Sequence, residues 1–132
     1  MSRRLLDTNI WIALAKGDPK AISALRKFSP SQVTTCAIVR AELIYGARKS
    51  QRVEANLLTA ELLLAPYTSL PFDDRAANHY SAIRAELERA GTPIGTNDVF
   101  IAAIALANDC ILVTRNTREF LRIPALRLDS WD

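Results

Sequence analysis

The chain has 132 residues, 49% of them hydrophobic and 23% charged, a composition that excludes a disordered tail or a membrane-embedded chain. This length suits one domain, residues 1–132, able to bury about two-thirds of the surface its unfolded chain would expose. A net charge of +3 permits nucleic-acid binding without requiring it, and no stretch approaches the ~18 apolar residues of a membrane span.

Arg3 and Arg4 are followed by only two leucines before Asp7, so no signal-peptide core is expected and the chain reads as cytoplasmic. Leu5-Leu6-Asp7-Thr8-Asn9 carries an apolar run into a carboxylate and then into capping residues, the pattern of a buried strand that ends where a helix begins. Asp7 then stands at the carboxyl end of the first strand, outside which the ligand crevice of an open parallel sheet lies. It also suits a plain N-cap, because Asp accepts hydrogen bonds from free helix N–H groups.

Residues 10–15 make a short, largely buried helix stopped by Gly17 in the C′ role. Asp18-Pro19 reads as an N-cap with proline at the first helical position. Ile22, Leu25 and Phe28 give this second helix one apolar face, and Pro30 is expected to end it. Residues 33–36 form a second short strand.

From Ala37 the pattern turns helical. Glu42, four residues after Ile38 and three before Tyr45, shares their face, where a carboxylate needs an arginine or a metal ion to offset its burial. A further helix over residues 52–65 has a leucine stripe too wide for a surface helix, so it is expected to pack on both the domain and a partner. Pro66 closes it, and residues 69–72 suit a brief strand.

Asp73 or Asp74 opens a helix with an apolar stripe through Ala76, Tyr80, Ile83, Leu87 and Ala90. His79, the only histidine, lies just off that stripe, which excludes a paired-histidine mechanism of RNA cleavage; no nucleophile-elbow pattern offers it a serine or cysteine to activate. Residues 91–95 form a loop. Thr96-Asn97-Asp98 then starts the most apolar helix, running to Ala107, with Asp98 in the first turn where the helix dipole favours a negative charge.

Residues 111–114 form a buried parallel strand. Residues 115–120 suit a loop or short helix, and a last strand near residues 126–128 leaves Trp131 to cover an edge. Cys36 and Cys110 fall on or beside predicted strands, lack a metal-ligand spacing, and read as buried free thiols. Arginine supplies 13 of the 17 basic residues, the side chain whose planar fork suits phosphate.

Strands alternating with helices throughout indicate an α/β sandwich around a parallel sheet. Right-handed crossovers bring Asp7, Glu42 and Asp98 to one edge of that sheet. Three carboxylates there repel unless a hard divalent cation joins them. Mg²⁺ suits such an oxygen-rich site and bridges carboxylates to phosphate, and Mn²⁺ fits the same donors.

In this order and spacing, several segments together resemble the PIN-domain ribonucleases, and within them the VapC toxins of bacterial toxin–antitoxin pairs. The carriers are Leu6-Asp7-Thr8-Asn9, Ala41-Glu42-Leu43-Ile44-Tyr45-Gly46, and Ile94-Gly95-Thr96-Asn97-Asp98 with Ile101-Ala102-Ala103. Leu112-Val113-Thr114-Arg115-Asn116-Thr117-Arg118-Glu119-Phe120 and Pro124-Ala125-Leu126 complete the set. The resemblance implies a PIN-domain-like α/β/α sandwich with a central parallel sheet and an endoribonuclease that leaves a 3′-hydroxyl and a 5′-phosphate.

It also makes Asp7, Glu42 and Asp98 an acidic triad for Mg²⁺, with Asp7 and Asp98 as direct ligands and Glu42 orienting the attacking water. Many members carry a fourth acid where this chain has the neutral Asn116, with Thr114 and Glu119 close enough in sequence to contribute. Arg115 and Arg118 become candidate phosphate contacts, and single-stranded or loop RNA, such as tRNA, the substrate class.

The implied partners are a VapB-type antitoxin, whose C-terminal segment inserts a basic side chain towards the acids, a second copy of the chain, and operator DNA reached only through the antitoxin. Two readings compete. A phosphoryl-accepting receiver domain needs a late-strand lysine, and this chain has none after Lys49. An inactive PIN-like module would bind antitoxin or RNA without cutting it.

Overall fold

The apolar and β-branched runs become five short strands in the computed structural model, which describes residues 2–131. They are β1 (Arg4–Leu6), β2 (Val33–Cys36), β3 (Thr68–Leu70), β4 (Ile111–Val113) and β5 (Leu128–Asp129). The helices are α1 (Thr8–Ala15), α2 (Pro19–Leu25), α3 (Ala37–Arg48), α4 (Val53–Leu64), α5 (Asp74–Arg89), α6 (Thr96–Ala107) and α7 (Thr117–Phe120). All paired strands are parallel, in the order β3-β2-β1-β4-β5.

That order decides where a crevice can open. The chain steps outward from β1 to β3 and then returns to place β4 on the other side of β1, so strand order reverses between β1 and β4. Right-handed crossovers put α1 to α4 on one face and α5 and α6 on the other, the α/β/α sandwich expected from the sequence. The crevice of such a sheet opens outside the carboxyl ends of the two strands at the reversal. The residues there are Asp7 and Thr114.

Burial holds this centre in place. Leu5, Leu6, Leu112 and Val113 are fully buried, and each such side chain contributes roughly 1.5–3 kcal/mol by leaving water. Helix α6 is apolar on nearly every side, with Val99, Ile101 to Ala105 and Ala107 buried, which makes it the central helix its composition predicted. The indole of Trp11 on α1 is buried too and donates to the Leu6 carbonyl at 3.0 Å, tying α1 to the end of β1.

Three boundaries differ from the sequence reading. Helix α2 stops at Leu25, so Phe28 is not on it, and Pro30 opens a 3₁₀ turn (Pro30–Gln32) instead of ending a helix. The Phe28 ring is held by other partners: it stacks on Trp131 at 5.8 Å between centroids, and the Arg4 guanidinium lies 4.5 Å above it. β3 begins at Thr68 and ends at Leu70, because Pro71 has no N–H to continue the ladder. The last strand is Leu128–Asp129, beginning two residues and ending one residue later than expected, where Asp129 pairs with Val113 and forms an ion pair with Arg4 at 3.1 Å.

Candidate active site

Asp7 is both of the things its position allowed. It caps α1, accepting from Thr8 N–H at 2.7 Å through Oδ1, and it is 4% exposed at the crevice. Its Oδ2 accepts from the buried Thr114 hydroxyl at 2.9 Å. A carboxylate has about four lone-pair sites, so two donors leave acceptor capacity for a third partner. Burial raises the Asp7 pKa above the ordinary carboxylate value, the hydrogen bonds from Thr114 and Thr8 lower it, and the Glu42 charge raises it further.

Glu42 reaches the same place from α3. The Thr8 hydroxyl donates to its Oε1 at 2.7 Å. Thr8 therefore joins Asp7 to Glu42, its N–H on one carboxylate and its hydroxyl on the other. Sequence reasoning treated Thr8 only as a capping residue; a hydroxyl at the first helical position, next to an acid, was the available signal.

Asp98 sits in the first turn of α6, which runs back along the sheet from its carboxyl edge. Its pKa is pushed up to about 7, first by burial, then by the charges of Asp7 and Glu119, a hydrogen bond with Glu119, and the Glu42 charge. Glu119, on α7, accepts from Asn116 Nδ2 at 3.1 Å, while the Asn116 N–H donates to the Thr114 hydroxyl at 2.9 Å. A continuous line of contacts thus runs from Asp7 through Thr114, Asn116 and Glu119 to Asp98. Four carboxylates face one crevice, with Asn116 as a neutral holder among them.

The two arginines behave differently. Arg118 is exposed on α7, whereas Arg115 is joined to Asp18, the N-cap of α2. Cys36 precedes α3 as a buried thiol whose pKa is pushed up to about 11 by burial, and Cys110 is likewise buried and free. Neither is a nucleophile in waiting.

Residues 4–126 match the PIN domain family. Over 131 residues, 99% of each chain, the sequence is 40% identical to the tRNA(fMet)-specific endonuclease VapC of Salmonella typhimurium, and to the same extent to Ribonuclease VapC2 of Haemophilus influenzae. The chain belongs to the VapC ribonucleases of the PIN-domain family. Among solved structures, DNA-bound VapBC from Salmonella typhimurium superposes with a TM-score of 0.93 at 40% identity, covering 100% of both chains. VapBC2 from Rickettsia felis, bound to a fragment of promoter DNA, gives 0.90 at 35% identity over 98% of both chains.

PIN-domain nucleases depend on a divalent metal, and the donors here fit such an ion. The acids of the crevice are hard oxygen donors, and burial together with the charges of Asp7, Glu119 and Glu42 pushes the Asp98 pKa up to about 7, a penalty on its anion that a cation would relieve. Among the described residues, no three acidic, histidine or cysteine side chains are grouped tightly enough to form a ready-made cage.

Proposed function

We propose that this VapC chain is the toxin of a toxin–antitoxin pair, an endoribonuclease that uses Mg²⁺, with Mn²⁺ as a substitute, to cut single-stranded or loop RNA. The observation that carries the reading is the convergence of Asp7, Glu42, Asp98 and Glu119 at the point where strand order reverses. Asp7 and Asp98 would hold the ion directly. When bound, it supplies the Lewis acidity that polarises a phosphodiester and eases deprotonation of a water.

The chain's own groups do the rest. Glu42, fixed by the Thr8 hydroxyl, orients the attacking water and accepts its proton. Thr114 fixes the Asp7 carboxylate, and Asn116 holds Glu119 beside Asp98. Arg118 faces the phosphate of the strand being cut.

The relative named as a tRNA(fMet)-specific endonuclease makes initiator tRNA the first substrate to try. VapBC structures among the neighbours favour a VapB-type antitoxin as partner, with operator DNA reached through it. Its seat is the groove of about 510 Å³ between α1, α3 and α4, walled by Ile12, Leu43, Ala60 and Leu63 and bordered by Glu42. Leu58 and Leu62, 60% and 66% exposed on α4, extend the apolar surface that the antitoxin and a second copy would cover. No helix among the described residues is long and apolar enough to cross a membrane.

The test is cleavage of a cellular tRNA pool by antitoxin-free protein with Mg²⁺, with EDTA, and with Asp98→Asn. Cleavage is expected only from wild type with Mg²⁺, with Mn²⁺ restoring it after EDTA. Intact RNA in every arm, from a folded protein that still binds RNA or antitoxin, would favour the inactive-module reading.

A further inference from the structure

A second cleft, of about 550 Å³, lies outside the acid crevice between α2 and the C-terminal strand. Lys20, Ser23 and Lys27 line one wall, and Phe28, Asp129 and Trp131 line the other. The chain has only four lysines, and two of them are here. Spaced three and four residues apart, Lys20, Ser23 and Lys27 share one face of α2 and the turn that continues it, with the lysines separated by about 10 Å of helical rise.

The charge of this cleft is set by those lysines. Neither is in a salt bridge among the described residues, although Lys20 lies close enough to Asp18 to help lower its pKa, and the acid opposite them is already engaged: Asp129 pairs with Arg4 at 3.1 Å and accepts from the Trp131 indole at 3.3 Å. The stack of Arg4, Phe28 and Trp131 makes that floor rigid. Two lysines thus line an open cleft whose one acid is already paired, an arrangement that favours a polyanion.

The cleft also adjoins the active site. Pro19, at its near end, directly follows Asp18, whose carboxylate is bonded to Arg115. Arg115 directly follows Thr114 of the acid crevice. One arginine expected from the sequence to hold phosphate, Arg115, is engaged by this bridge, and the two lysines lie just past it.

We infer that the α2 cleft binds the sugar–phosphate backbone of the RNA strand flanking the cut, with Lys20 and Lys27 on phosphates and the Ser23 hydroxyl between them. A positively charged groove that follows the backbone is how single strands are held without reading their bases. This inference rests on the ribonuclease reading, and its binding test is separable from it.

In the Asp98→Asn background, where cleavage is not needed, tRNA affinity is measured by fluorescence anisotropy with and without Lys20→Ala/Lys27→Ala. Kd rises about tenfold and the slope of log Kd against log salt falls by roughly 1.4, two contacts at about 0.7 each for a single strand. Lys20→Arg/Lys27→Arg restores both. In the cleaving enzyme the alanine pair raises KM for tRNA with kcat within about twofold, and leaves unchanged the KM of a hexanucleotide spanning the cut.

Unchanged tRNA affinity and salt slope overturn the inference. Loss of affinity for the antitoxin with RNA binding intact also overturns it and makes an acidic protein segment the occupant. Failure of the wild type to cleave counts against the ribonuclease reading alone, because the anisotropy result stands without it.

Discussion

Asp98 is subject to two opposing fields. The first turn of α6 favours its anion by roughly 0.3–1 kcal/mol, yet its pKa is pushed up to about 7, so burial and the neighbouring carboxylates win. Without metal, the folded chain keeps a proton here that the unfolded chain releases near pH 4. Asp98 therefore contributes stability that is fully present below that pH and lost as pH rises through 7. In EDTA, Asp98→Asn should melt higher than wild type at pH 8, the gap narrowing towards pH 5; urea melts of both proteins at both pH values check this, and equal pH dependence would show that the acids do not repel as described. Thr8 acts differently, through the orientation of Glu42. Thr8→Val should lower kcat about tenfold with KM little changed and stability within about 1 kcal/mol, and Thr8→Ser should recover the rate. Asp7 was legible in the sequence as cap and acid alike, because both roles follow from one position at a strand end. The Thr8 to Glu42 contact was not, since it joins residues 34 apart whose approach depends on how α1 and α3 pack.

Among the elements, those with a single dominant local signal were read closely. Asp18-Pro19 starts α2, Asp73 caps α5, and Gly17 ends α1 at a φ of +78°. Boundaries moved where a tertiary contact outweighed the local pattern: Phe28 belongs to the Arg4 and Trp131 stack, and β5 follows the Asp129 ion pair. Helices α3 and α4 announced their excess apolar surface in sequence, but the groove they form with α1 needed the third helix in place. Ile12, 37% exposed on its wall, is the side chain to change. Ile12→Glu should weaken the antitoxin complex at least tenfold by placing a carboxylate against an apolar partner segment, while the toxin keeps its fold and its ribonuclease activity. Calorimetric titration with antitoxin, beside a cleavage assay, measures both; undiminished affinity would place the antitoxin elsewhere.

At the scale of the molecule, the strand order is what brings the acids together. β1 and β4 put Asp7 and Thr114 side by side, the crossover through α3 delivers Glu42, and the return through α6 delivers Asp98. The sequence supplied the alternation of strands and helices that makes this convergence predictable, whereas the side-chain links within it depend on distances no spacing rule gives. One consequence concerns inhibition. If the antitoxin reaches over the groove beside Glu42 and inserts a basic side chain among the carboxylates, that cation and Mg²⁺ relieve the same repulsion, and each must weaken the other's binding by the same factor. Antitoxin affinity should then fall as Mg²⁺ rises, by close to tenfold for each tenfold excess of the ion over its own Kd. Asp98→Asn, with less charge to compete for, should flatten the dependence. The measurement is antitoxin titration across a Mg²⁺ series at constant ionic strength, with the K⁺ salt as control for screening. A flat wild-type series would mean that the antitoxin inhibits by covering the crevice without entering it, and the Thr8, Glu42 and Asp98 constellation would then remain able to bind metal inside the inhibited complex.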